Sequence, residues 1–99
     1  MNKYLITYHN GQMPSDAAAA EQAKKAFGKW LQEAGQAVAD PGAPVIFTSQ
    51  VTSNPSPKIE IGGYSIIQAV NDDDVVKVLK THPFVVRGGT LQVSKIVSI

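Results

Sequence analysis

The chain has 99 residues, 43% hydrophobic and 17% charged, and nine Lys and Arg against eight Asp and Glu leave a net charge of +1. That is the size of one domain with a thin core, and the scattered charges exclude nucleic acid as the main partner, because phosphate neutralisation needs clustered cations. The absence of cysteine excludes a disulfide scaffold, a thiolate nucleophile and a zinc ribbon.

The opening "MNKYLITYHNGQ" lacks the continuous apolar stretch of a signal peptide. No run approaches the roughly 18 apolar residues of a membrane span. The expectation is therefore a cytoplasmic protein with no membrane partner. Residues 3–9, "KYLITYH", read as a strand, with Tyr4, Ile6 and Tyr8 on one face and Leu5, Thr7 and His9 on the other. "NGQMPS" breaks the pattern at Gly11 and Pro14.

A helix follows over 16–34. Ser15 is the expected N-cap, and Asp16 lies in the first turn, where the helix dipole favours negative charge. Ala20, Ala23, Phe27, Trp30, Leu31 and Ala34 form its apolar stripe, Glu21 and Lys25 pair on its polar side, and Gly35 is the left-handed stop. Gly28 inside it costs up to about 1 kcal/mol relative to Ala, which close packing against another backbone would explain. Asp40, Pro41, Gly42 and Pro44 then make a tight turn. A strand is expected over Val45–Val51, a loop over "TSNPSPK" and a possible short strand over "IEI".

Residues 64–70, "YSIIQAV", are the next clear strand. Asn71 caps a second helix with Asp72, Asp73 and Asp74 at its positive end and Lys77 and Lys80 towards its negative end. Val75, Val76 and Leu79 form its apolar side. Pro83 forces it to finish near Thr81. "FVV" leads back towards the core, "RGG" turns, and "TLQVSKIVSI" alternates as a last strand with Leu91, Val93 and Val97 on one side and Gln92 and Ser94 on the other.

The order β-α-β-β-α-β is the ferredoxin-like arrangement: an α+β fold with a four-stranded antiparallel sheet and two helices on one face. The other face must meet solvent or a second sheet. Its expected lining is Thr7 and His9, or Ser65 and Ile67, with Gln92, Ser94 and Ile96. A face of that mixed character suits a homodimer enclosing a pocket.

The stretches Gly63-Tyr64-Ser65, Asp72–Asp74, His82-Pro83 and Gly88-Gly89, in that order, resemble the second half of YCII-related proteins. "KYLITYHNG", the Ala-rich helix with Trp30 and "GQAVADPGAPV" look like the first half of the same family. The resemblance spans nearly the whole chain. It implies a single cytoplasmic domain that pairs sheet to sheet as a dimeric α+β barrel. Some relatives carry a histidine–aspartate pair with the histidine on the first helix, and a few act on chlorinated hydroxyquinones. Here Asp40 matches the aspartate, but the helix over 16–34 contains no histidine.

Among chemical candidates, His82 reads first as the residue that stops a helix, its charged form favoured by the dipole. Its sharper reading is a general base or ligand group at a pocket rim. His9 ends the first strand, and Asp40 precedes a turn where a carboxylate usually bonds nearby N–H groups. Together they are the best substitute for the missing pair. Tyr64 and Ser65 lie on opposite faces of one strand, so one of them faces the open side. Trp30 is a core, interface or ligand-platform residue, and Arg87 could hold an anionic group. The aspartates at 72–74 mark a helix start rather than a metal site, and the glycine pairs match no phosphate loop. Two readings follow. One is a protein that binds a small, partly apolar molecule in a cleft at the sheet face, using Ser65, Tyr64, Trp30 and Arg87. The other is a cofactor-free acid–base enzyme acting on an aromatic or hydroxylated molecule, with His9, Asp40 and His82 as proton carriers.

Overall fold

The computed structural model describes residues 1–11 and 14–99; Gln12 and Met13, in the expected linker after the first strand, lie outside the described residues. The elements are β1 (Asn2–His9), α1 (Ala17–Ala34), a 3-10 turn (Gly35–Ala37), β2 (Val38–Pro44), β3 (Gly63–Ala69), α2 (Asp72–Leu79), α3 (Pro83–Val86) and β4 (Thr90–Lys95). The strands form one antiparallel sheet in the order β2-β3-β1-β4. This is the expected ferredoxin-like α+β arrangement, with β1 and β3 central.

Strand alternation sorts the sheet into two faces. Tyr4 and Ile6 of β1 and Ser65, Ile67 and Ala69 of β3 are buried beneath the helices, where they join Trp30, Val75 and Leu79. The opposite face carries two cross-strand rows: Tyr64, Thr7 and Gln92, then Ile66, Leu5 and Ser94. Thr7, His9, Gln92 and Ser94 are thus on the open side as expected, and of the two alternatives on β3 it is Tyr64, not Ser65, that joins them. The two layers span 19 Å along the shortest axis.

Five local expectations change. Asp16, not Ser15, caps α1, because its carboxylate accepts the Ala19 N–H at 2.7 Å. Gly35 stops α1 with φ 56° and returns its N–H to Leu31, as expected. Gly28 has nothing within 4 Å of the position a Cβ would occupy, so no neighbouring backbone requires a glycine there.

The second strand is displaced. Residues 38–44 pair with β3, and the Asp40-Pro41-Gly42 turn is a bulge inside that strand rather than its boundary. Val45–Val51 forms no strand. After Val45 donates to the Gly62 carbonyl at 3.1 Å the ladder stops, and continued pairing would set Pro57, which has no N–H, opposite Gln50. "IEI" likewise forms no strand. Finally, "FVV" does not run back extended; with Pro83 at its first position it makes the one-turn helix α3.

Candidate ligand-binding cleft

The bulge in β2 is built by three residues. Asp40 accepts the Gly42 N–H at 2.8 Å, and Gly42 takes φ 72°, the left-handed region open to glycine. A Cβ on Gly42 would overlap the Tyr64 carbonyl. This folding brings the Pro41 carbonyl within 2.8 Å of Ser65 Oγ on the neighbouring strand.

Ser65 starts a buried polar row. Its Oγ lies 2.8 Å from Tyr8 Oη, and Tyr8 Oη lies 2.9 Å from His82 Nε2. His82 Nδ1 accepts the Phe84 backbone N–H at 3.0 Å, which makes His82 the N-cap of α3. The ends of the row fix its direction. A carbonyl only accepts, so Ser65 donates to Pro41 and Tyr8 donates to Ser65. Nδ1 is occupied as an acceptor, so the neutral ring carries its proton on Nε2 and donates to Tyr8.

His82 is 1% exposed and wedged among Trp30, Tyr8 and Phe27, with ring centroids at 4.3, 5.2 and 5.6 Å. Burial, helped by the Arg87 charge, lowers its pKa to about 4. The expected dipole-stabilised cation at a helix end is corrected: the ring is a neutral core group, and its cap is at the start of α3, where positive charge is disfavoured. Burial raises the Tyr8 pKa above its usual value, and the Ser65 hydrogen bond opposes this.

Beside this row lies a cleft of about 280 Å³. Tyr8, Phe27 and Phe84 give it aromatic walls, Gly42 and Gly63 bring backbone close, and Arg87 stands at its rim. It opens on the helix side of the sheet, not on the open face. Tyr8 packs edge-on against Phe84 at 5.0 Å, and the Arg87 guanidinium lies 5.9 Å from the Phe84 ring.

The remaining candidates are dispersed. His9 is on the open face, bonded to Thr7 at 2.8 Å. Asp40 holds its own bulge. Trp30 is core, with its indole N–H donated to the Val78 carbonyl at 3.1 Å. Tyr64 and Arg87 border the cleft, and Ser65 lies beneath it. Among the described residues, no cluster of His, Cys, Asp and Glu could hold a metal, and no helix is long and apolar enough to cross a membrane. Sequence reasoning placed Tyr8 in a core face and passed over Phe27 and Phe84. The one available signal was that a tyrosine turned inward needs a partner for its hydroxyl.

No family model and no curated protein matches the chain. Among solved structures, it is similar to the 5-chloro-2-hydroxyhydroquinone dehydrochlorinase of Burkholderia phenoliruptrix AC1100, determined in complex with 2,5-dihydroxybenzoquinone. The two are 19% identical with a TM-score of 0.56, over 91% of this chain and 90% of that one. A likeness at that identity establishes the fold, and the fold is the α+β arrangement expected from the order of the elements.

Proposed function

We propose that the protein is a homodimer that binds a small, partly apolar molecule, a hydroxylated aromatic ring, in the cleft walled by Tyr8, Phe27 and Phe84. The observation that carries this reading is the composition of the cleft: the aromatic side chains of Tyr8, Phe27 and Phe84, the first of them a half-buried phenol, and a guanidinium at the rim. Apolar walls with a few fixed polar groups are the usual make-up of small-molecule sites, and about 280 Å³ suits a single ring. The fold neighbour was determined with 2,5-dihydroxybenzoquinone, a hydroxylated six-membered ring of similar size in its quinone form. The dimer rests on the uncovered sheet face, where Leu5 and Ile66 form an apolar row beside polar neighbours.

A second reading, acid–base chemistry on the same class of ring without a cofactor, is favoured by the hydrogen-bonded row from His82 through Tyr8 to Ser65. In it Tyr8 touches the substrate and His82 acts through Tyr8. His9 and Asp40 are the other proton carriers of that reading, each bonded within its own strand.

Titration of the protein with hydroquinone, followed by calorimetry, tests the binding reading. Saturable binding that weakens by about tenfold in Tyr8→Phe is expected, the worth of one hydrogen bond. Absence of binding at millimolar hydroquinone would sink it.

A further inference from the structure

Tyr8 has no hydrogen to spare. Its hydroxyl proton is directed to Ser65, because Ser65 must donate to the Pro41 carbonyl, and its first lone pair takes the His82 Nε2 proton. What remains is one lone pair on a residue that lines the cleft. A ligand meeting Tyr8 must therefore bring the hydrogen. Its partner has to be a hydroxyl donor, since a carbonyl or quinone oxygen would confront a lone pair with a lone pair. Leaving such a pair unmatched costs more than a missing hydrogen bond alone.

We infer that the fixed direction of the His82–Tyr8–Ser65–Pro41 row makes the cleft select the hydroquinone form of a ring over its quinone form. This rests on the proposed cleft and adds a rule of selection to it. Tyr8 is the binding residue. Ser65 and His82 are positioning residues that act by orienting the Tyr8 hydroxyl, and Phe84 acts one step further back by holding the His82 tautomer through its backbone N–H.

The test compares hydroquinone with 1,4-benzoquinone, which have nearly the same size and shape and opposite hydrogen-bonding character. The chain has no cysteine, so the quinone meets no thiol. Affinities are measured at pH 6 for the natural protein and for Ser65→Ala, which releases the Tyr8 hydrogen towards the cleft. The natural protein is expected to bind hydroquinone about tenfold more tightly, and Ser65→Ala to reduce that preference by about the same factor, as for one hydrogen bond gained or lost. A loss of packing alone would weaken both ligands and leave their ratio unchanged. Equal affinities, or a preference untouched by Ser65→Ala, overturn the inference and leave the binding reading standing. Failure of both ligands to bind overturns the reading and the inference together. The ring nitrogen shifts of His82 in the natural protein give an independent check: the Nε2–H neutral tautomer is expected, and an Nδ1–H ring overturns the inference even if Ser65→Ala fails to fold.

Discussion

The Tyr8 hydroxyl stands 2.9 Å from His82 Nε2, a bond between residues 74 positions apart that ties the first strand to the corner between α2 and α3. His82 must stay neutral inside its aromatic cage, because protonation would place a hydrogen on Nδ1, the acceptor of the Phe84 N–H. That requirement gives the domain a pH dependence of predictable sign.

His82 has its pKa lowered to about 4 in the folded state, against 6.5 for an unperturbed ring. The unfolded chain therefore takes up a proton as pH falls through 6.5 while the folded chain does not. The contribution of His82 to stability is fully present above pH 6.5, is lost progressively down to about pH 4, and levels off below. The loss amounts to about 3 kcal/mol at most, from 1.36 kcal/mol per pKa unit. Urea unfolding at pH 7.5, 5.5 and 4.5 should show the decline, and His82→Gln should flatten it. An equal slope in the variant would assign the effect to other groups.

Trp30 holds the core against α2. Its indole N–H meets the Val78 carbonyl, one of the last in α2 and so without a partner in the regular helix ladder. Trp30→Phe keeps an aromatic ring at this core position, removes the donor and gives up part of the packing. A destabilisation of about 1–2 kcal/mol is expected, readable by chemical denaturation monitored by circular dichroism. A neutral substitution would show that water replaces the indole there.

Two glycines should respond in opposite directions. Gly42→Ala puts a methyl group into the Tyr64 carbonyl at a left-handed φ, so the β2 bulge and the cleft wall should be disrupted at a cost of about 2 kcal/mol or more. Gly28→Ala adds a methyl group that meets nothing and improves helix propensity, for a gain of up to about 1 kcal/mol. Thermal unfolding of the two variants side by side checks both signs. A destabilised Gly28→Ala would mean that a partner surface approaches α1 at that point.

The open sheet face tests the homodimer. Ile66→Arg places a charge in the row shared with Leu5 and Ser94 without touching the buried face. Gel filtration with light scattering at micromolar concentration should give a dimer for the natural chain and a folded monomer for Ile66→Arg. A natural chain that runs as a monomer would remove the dimer from the account.

The layout of the fold was legible because its signals are local and periodic. Alternation found β1, β3 and β4. The 3.6-residue stripe through Phe27, Trp30 and Leu31 found α1, and Asn71 with its aspartates found α2. The second strand was misplaced because "VIFTSQV" has the right composition for a strand, yet pairing is decided by what lies opposite, and there the chain turns into a loop that begins at Pro57. The cleft was less legible still. His82 looked like a surface helix end because Pro83 follows it. Only the tertiary arrangement shows that Pro83 starts α3 and turns the imidazole inward onto Tyr8. Asp40 and Gly42 read correctly as turn formers. Their effect, delivery of the Pro41 carbonyl to Ser65, depends on a strand neighbour 24 residues away.

The central claim is that a hydroxylated ring occupies the cleft beside Tyr8. An amide-resolved NMR titration of the natural protein with hydroquinone tests it most directly. The expected result is a saturable set of shifts at Gly42, Gly63, Phe84 and Arg87, accompanied by a change at the His82 ring nitrogens. Shifts confined to Thr7, His9 and Gln92 on the open sheet face, or no shifts at all, would contradict it.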